Sequence, residues 1–276
     1  MIKKLFPLVV LSFVLLLSSC NGRKKEEQQA DKLLENIEQL IAANDYKSAN
    51  SVIDSLHKTY PRLVSRRKVA AAYADTIVRR ESALVLIQCG QLLPPKTKQL
   101  DSLKVNFKLE KNEKYQETGN YVYKTQTTEQ NAGRNYLKYS VDENGDTYLV
   151  SNYTGRKINH HSIKVSTGNL SQQTDSLQRS GVFHAFDDGG AHYETLTFRN
   201  ADDNGLAAFI SAHTGKPIKI TLTGNSSYSY TLLPQDAKAI GATYQFASLL
   251  KETKQLQKDA EKATIRIEKI KLLYNH

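Results

Sequence analysis

The chain has 276 residues, 39% of them hydrophobic and 24% charged, which is globular composition and excludes a disordered or fibrous polymer. Lys and Arg number 38 against 28 Asp and Glu, but the basic residues are scattered along polar helix faces beside Glu. That spread marks a solvated surface rather than a nucleic-acid footprint, so no nucleic acid is expected as a partner.

In chain order, Lys3 and Lys4 precede an apolar run at 5–17, about thirteen residues and too short for a mature membrane-spanning helix. Leu17-Ser18-Ser19-Cys20 ends it. This pattern resembles the lipobox of bacterial lipoproteins. The resemblance implies removal of residues 1–19 as a lipoprotein signal peptide and lipidation of Cys20, the membrane being the first expected partner. Loss of Lys3 and Lys4 leaves a net charge of +8. With Cys20 acylated and Cys89 the only other cysteine, no intramolecular disulfide is available. Cys89 lies in an apolar helical stretch and reads as a buried thiol.

Residues 20–29 are polar without apolar period and read as a flexible tether. Within it, Lys25-Glu26-Glu27 is similar to the charged export tag of Bacteroidota-type surface lipoproteins. Residues 30–113 read as a helical region. Leu33, Leu34, Ile37, Leu40 and Ile41 make one stripe, Asn44-Asp45 a break, and Ala49, Ile53 and Leu56 a second stripe before Tyr60-Pro61. The pair is similar to one tetratricopeptide-type hairpin; a single unit excludes a repeat array. A third helix is expected over 66–92 with Val69, Tyr73, Ile77, Leu84 and Ile87 on one side. Pro94-Pro95 is expected to stop it, and a fourth helix with Leu100, Leu103 and Phe107 to lead towards Lys111.

Residues 114–232 read as an antiparallel β-module. Short strands at 120–123, 136–141, 147–150, 161–165, 182–186, 192–198, 218–222 and 228–232 are separated by turn signals, Asn144-Gly145 the strongest, with one short helix near 205–210. From 234 to 275 a single helix carries Ala239, Ala242, Phe246, Leu249, Thr253, Leu256, Ala260, Ala263, Ile267, Ile270 and Tyr274 at steps of three and four. It is expected to pack on the N-terminal helices rather than to pair with a second copy. The fold class is therefore α+β: helical hairpins and a long C-terminal heptad helix forming a stalk, with an inserted antiparallel β-sandwich or open barrel.

Chemistry is sparse. His184, His192 and Glu194 are candidate metal ligands, and the hairpin register decides whether they converge. Only a three-residue loop at Asp187-Asp188-Gly189 sets His184 opposite His192. The neighbours His160-His161 face opposite ways and need another segment to contribute. Tyr121/Tyr123 and Tyr228/Tyr230 each share a strand face and are candidate ligand-binding rings, with cross-strand packing the alternative. Asp142, Asn144 and Asp146 fail as a calcium loop, because Thr147 and Tyr153 occupy the required glycine and carboxylate positions. No nucleophile elbow, zinc helix motif or phosphate loop occurs, so no catalytic residue and no cofactor are expected.

Asp-Ser/Thr-aliphatic triplets at Asp54, Asp75, Asp101 and Asp175 resemble the O-glycosylation motif of Bacteroidota. Lipobox, hairpin, β-module and terminal helix together look like an uncharacterised family of Bacteroidota-type envelope lipoproteins. That resemblance implies a lipid-anchored envelope protein, in the outer membrane, with no known activity to carry over. The leading expectation is a non-enzymatic binding or scaffolding protein with a protein or glycan partner. The alternatives are a metal-dependent or hydrolytic envelope enzyme, and a coiled-coil structural oligomer.

Overall fold

The computed structural model describes residues 6–177 and 182–274, with side chains described from residue 22 onward. The expected signal peptide at 1–19 and the Cys20 side chain thus lie outside the described side chains. The protein is α+β, and the chain divides into two compact units, residues 1–90 with 259–276 and residues 91–258.

In the first unit, α1 (Phe6–Ala42) and α2 (Tyr46–Thr59) form a hairpin, followed by the first part of α3 (Val64–Lys104). The turn between α1 and α2 places Asn44 at φ +60°, and the Asp45 carboxylate caps α2 by accepting from the Ser48 N–H at 3.1 Å. Ile37, Ile41, Ala49, Ile53, Leu56, Ala70 and Ile77 form the core. Arg66 makes a two-pronged bond to Asp31, at 3.0 and 3.2 Å, that holds the Asp31 carboxyl below its usual range. The last part of α5 (Pro234–Tyr274) belongs to this unit. It buries Ala263 and Ile270, and the Tyr274 hydroxyl donates to Asp75 at 2.7 Å.

Several expectations are corrected here. The tether at 20–29 is helical, part of α1. Lys, Glu, Gln and Arg are good helix formers, Arg23 and Glu27 pair one turn apart at 3.3 Å, and polarity alone does not separate a solvated helix from coil. The buried side of α3 is Ala70, Ile77, Ser82 and Cys89, while Val69, Leu84 and Ile87 of the expected stripe are exposed. Small residues seat the helix closely, a signal that large apolar residues masked. Pro94 and Pro95 lie inside α3 and do not end it. The carbonyls they leave without donors, those of Gly90 and Gln91, belong to exposed residues. The expected fourth helix is the end of α3, and residues near 107 turn to strand.

In the second unit, a six-stranded antiparallel sheet runs in the order β1-β2-β3-β4-β8-β7 and a four-stranded one in the order β10-β9-β5-β6. The strands of the first are β1 (Phe107–Glu110), β2 (Asn120–Tyr123), β3 (Tyr136–Asp142), β4 (Thr147–Gly155), β7 (Phe183–Asp188) and β8 (Ala191–Arg199). Those of the second are β5 (Ser162–Thr167), β6 (Leu170–Gln173), β9 (Lys219–Thr223) and β10 (Ser227–Thr231). The β-module thus opens at 107, not 114. A four-residue edge strand such as β1 or β6 carries too little alternation to announce itself. The Asn144-Gly145 hairpin forms as expected but with a three-residue loop, in which Gly145 alone takes positive φ, at +95°.

One core joins the two sheets. Leu137, Tyr139, Leu149, Leu196 and Phe198 of the first meet Ile163, Val165, Ile220 and Leu222 of the second. The short helix α4 (Leu206–Ala212) and Ala237 and Ile240 of α5 close that core. Further along the sheet, Phe246 of α5 stacks on Phe107 at 4.4 Å and meets the Tyr121 edge at 5.3 Å. α5 opens with Pro234, whose missing N–H costs nothing in a first turn. Arg134 grips the buried Asp236 with bonds of 2.5 and 2.9 Å, tying the β2–β3 connection to the start of α5.

Proline in a helix interior is about 3 kcal/mol worse than alanine, partly offset because alanine loosens the unfolded chain. Pro94→Ala is therefore expected to stabilise the chain by about 1–2 kcal/mol, read as a raised thermal midpoint; a lowered midpoint contradicts the helical assignment at 90–95.

Candidate functional site

Strand alternation puts His192, Glu194, Leu196 and Phe198 on the core side of β8. A carboxylate buried at this position needs partners, and the β4–β5 connection supplies them. Oε1 of Glu194 accepts from the N–H groups of Ile158 at 2.8 Å and Asn159 at 2.7 Å. Its Oε2 accepts from the N–H of His160 at 2.9 Å and from His160 Nδ1 at 2.7 Å. Asn159 at φ +50° turns the three successive N–H groups toward one point, a concave anion cradle filled here by the chain's own side chain.

Burial pushes the Glu194 carboxyl upward, but the four hydrogen bonds outweigh it and hold the group below the usual carboxylate range. Burial likewise holds the His160 imidazole below its usual range, against the pull of Glu194, so it is neutral and carries its proton on Nδ1. Its Nε2 is buried without a partner. Gly224 makes the close approach possible. A Cβ there would lie 2.3 Å from the Ile158 carbonyl oxygen and 2.4 Å from that of Asn159.

The hairpin register settles where the metal candidates go. Asp188 pairs with Ala191 across a Gly189-Gly190 turn with both φ positive, a two-residue loop in place of the three-residue one convergence requires. His184 therefore pairs with Thr195 on the outer face, away from His192 and Glu194. His192 and Glu194 are brought together. His192 Nε2 stands 3.3 Å from Glu194 Oε1 without hydrogen-bonding geometry, while its Nδ1 bonds Asp187 at 2.7 Å. Among the described residues, no three His, Cys, Asp or Glu side chains gather to hold a metal ion.

The tyrosine candidates are packing residues. Tyr121 is buried against Phe246, Tyr123 meets the Phe107 ring edge, and Tyr228 packs on Tyr153 at 4.9 Å. The Tyr230 hydroxyl is buried, and burial pushes its pKa upward. Period-2 spacing gave each pair a common face, and that face is the core side.

A cavity of about 450 Å³ lies elsewhere in the second unit, between the β3–β4 end, the 3-10 turn at 200–203, and α5. Its walls include Tyr139, Thr147, Asp203, Tyr244, Ser248 and Lys251. Tyr139 is buried, and burial pushes its hydroxyl up to about 12, so it stays protonated. Asp203 accepts from the N–H groups of Gly205 at 3.0 Å and Ala207 at 3.2 Å. A second cavity, of similar volume, is lined by charged and amide side chains around Lys108, Glu110 and Glu129 and has no aromatic wall. Sequence reading missed the first cavity because its residues come from four separated segments. It also missed the Glu194 cradle, although a carboxylate in phase with Leu196 and Phe198 is a visible signal.

No protein-family model matches the chain, and neither a curated protein nor a solved structure matches it.

Two outcomes test the cradle. Both depressed groups act with one sign. Acidification protonates the unfolded chain first, His160 below about pH 6.5 and Glu194 below about pH 4.3. Stability is therefore expected to fall as pH drops through those windows. Glu194→Gln, which sets an amide NH₂ against N–H donors, is expected to cost about 3 kcal/mol at pH 7 and to flatten the acid limb. Denaturant unfolding from about pH 2 to pH 8 checks it; an unchanged acid limb below about pH 4.3 contradicts the assignment. Gly224→Ala is expected to destabilise by about 3 kcal/mol or more, since both contacts are with backbone; a melt within 2 °C of wild type contradicts that.

Proposed function

We propose that this chain is a bacterial envelope lipoprotein, anchored through lipid on Cys20, that acts by binding a partner through its second unit and not by catalysis. Leu17-Ser18-Ser19-Cys20, placed directly after a basic start and a short apolar run, carries this reading. Among the described residues no helix is long and apolar enough to cross a membrane, so a lipid is the anchor that the sequence offers. The outer membrane is the proposed location.

The binding reading is supported by how the polar residues are spent. Glu194 and His160, the most deeply buried carboxylate–imidazole pair, use their facing atoms on each other and on the 158–160 backbone. A general acid or base needs a free face toward a substrate, and the Glu194 oxygens each already accept two hydrogen bonds. What the second unit does offer is a mixed polar and aromatic cavity beside α5.

Mass spectrometry of protein purified from envelopes tests the anchor. The expected N-terminal peptide begins at Cys20 and carries a diacylglyceryl group, and Cys20→Ala abolishes labelling by an alkyne-bearing fatty acid. An unmodified Cys20 in envelope-derived protein overturns the reading.

A further inference from the structure

We propose that the cavity between Tyr139 and Lys251 binds a neutral saccharide, with the Tyr244 ring as its apolar wall and Asp203, Ser248 and Lys251 as its hydroxyl partners. This deepens the binding reading above and rests on it. The lining holds one carboxylate, Asp203, and one ammonium, Lys251. An anion would face Asp203 and a cation would face Lys251, so the walls suit a ligand without net charge.

A saccharide hydroxyl both donates and accepts, and the walls provide both kinds of partner. Lys251 is a donor only and forms no ion pair within the salt-bridge range among the described residues. Asp203 accepts one backbone N–H on each oxygen, which leaves each oxygen a further lone pair. The Ser248 hydroxyl donates to the Tyr244 carbonyl at 2.9 Å, so its lone pairs remain to accept. The Tyr139 hydroxyl adds a donor that stays protonated through the physiological range.

Shape points the same way. Ala201, Ala208 and Ala247 line the cavity along with Tyr244, apolar surface that suits the C–H face of a pyranose. The volume of about 450 Å³ is in the range of small-ligand clefts, enough for a mono- or disaccharide. The other cavity of similar volume lacks the ring and carries several charges, so the same ligand is not expected there.

The test is saturation-transfer difference NMR on the full-length chain in lipid nanodiscs. Probes are glucose, mannose, galactose, N-acetylglucosamine, maltose and cellobiose, with acetate and inorganic phosphate as charged controls. At least one saccharide is expected to show transfer, and the charged controls none. Lys251→Met is expected to weaken that saccharide about tenfold, the loss of one charge-assisted hydrogen bond. Ser248→Trp, on an exposed helix position, is expected to abolish transfer while the thermal midpoint stays near wild type. Absence of transfer from every saccharide, transfer from acetate or phosphate alone, or unchanged affinity in both variants overturns the proposal. A chain that carries lipid on Cys20 yet gives no saccharide transfer sinks the saccharide and leaves the anchor standing.

Discussion

One buried charge organises the second unit. Glu194 points into the core from β8 of the six-stranded sheet, and its four hydrogen bonds go to the segment that leads from β4 into β5 of the other sheet. The carboxylate therefore fixes the place where the chain leaves one sheet for the second. An unpaired carboxylate in such a core would cost several kcal/mol, so the 158–160 backbone cannot drift away without leaving that charge exposed to low dielectric. The β9–β10 turn is drawn into the same point, because Gly224 lies flat on the Ile158 and Asn159 carbonyls and Asn225 N–H donates to Ile158 at 2.7 Å.

The two long helices follow a different logic. α5 is apolar on several sides between Asp236 and Leu250, where Ala237 and Ile240 serve the inter-sheet core and Phe246, Ala247 and Leu250 serve a second cluster with Phe107, Tyr121 and Val141. After Lys258 its buried positions thin to single residues, Ala263 and Ile270, that join the N-terminal unit. A helix with one dense and one sparse half gives a continuous seam in sequence but uneven burial in space. Of the seam read from the sequence, Ala239, Phe246, Leu249, Thr253, Ala263 and Ile270 are buried, while Tyr274 is exposed and bonds Asp75.

What the sequence made legible was periodic. The α1–α2 hairpin, the β3–β4 and β7–β8 hairpins, α4 and α5 all announce themselves through spacing and turn residues. What stayed hidden was either short or aperiodic. β1 and β6 have four residues each, and the helical state of 22–29 rests on side-chain chemistry that coil shares. Pro94-Pro95 misled because the cost of a helical proline is finite and is outweighed by the rest of α3, with the residues that lose a donor, Gly90 and Gln91, both exposed. Of the site, the register of two glycines decided everything about His184, and no local signal linked His160 to a glutamate 34 residues away.

Four of the chain's acids are held by structural partners. Asp236 is held by Arg134, Asp31 by Arg66, Asp146 by Arg199, and Glu194 by backbone; each lies in a place where an acid would otherwise be free. Such pairing holds the Asp31, Asp146 and Glu194 carboxyls below their usual range. Groups that keep unused hydrogen-bonding capacity are then the informative ones. Lys251, Ser248 and Asp203 line one cavity together with Tyr244, and the proposed ligand would use the capacity that these groups keep.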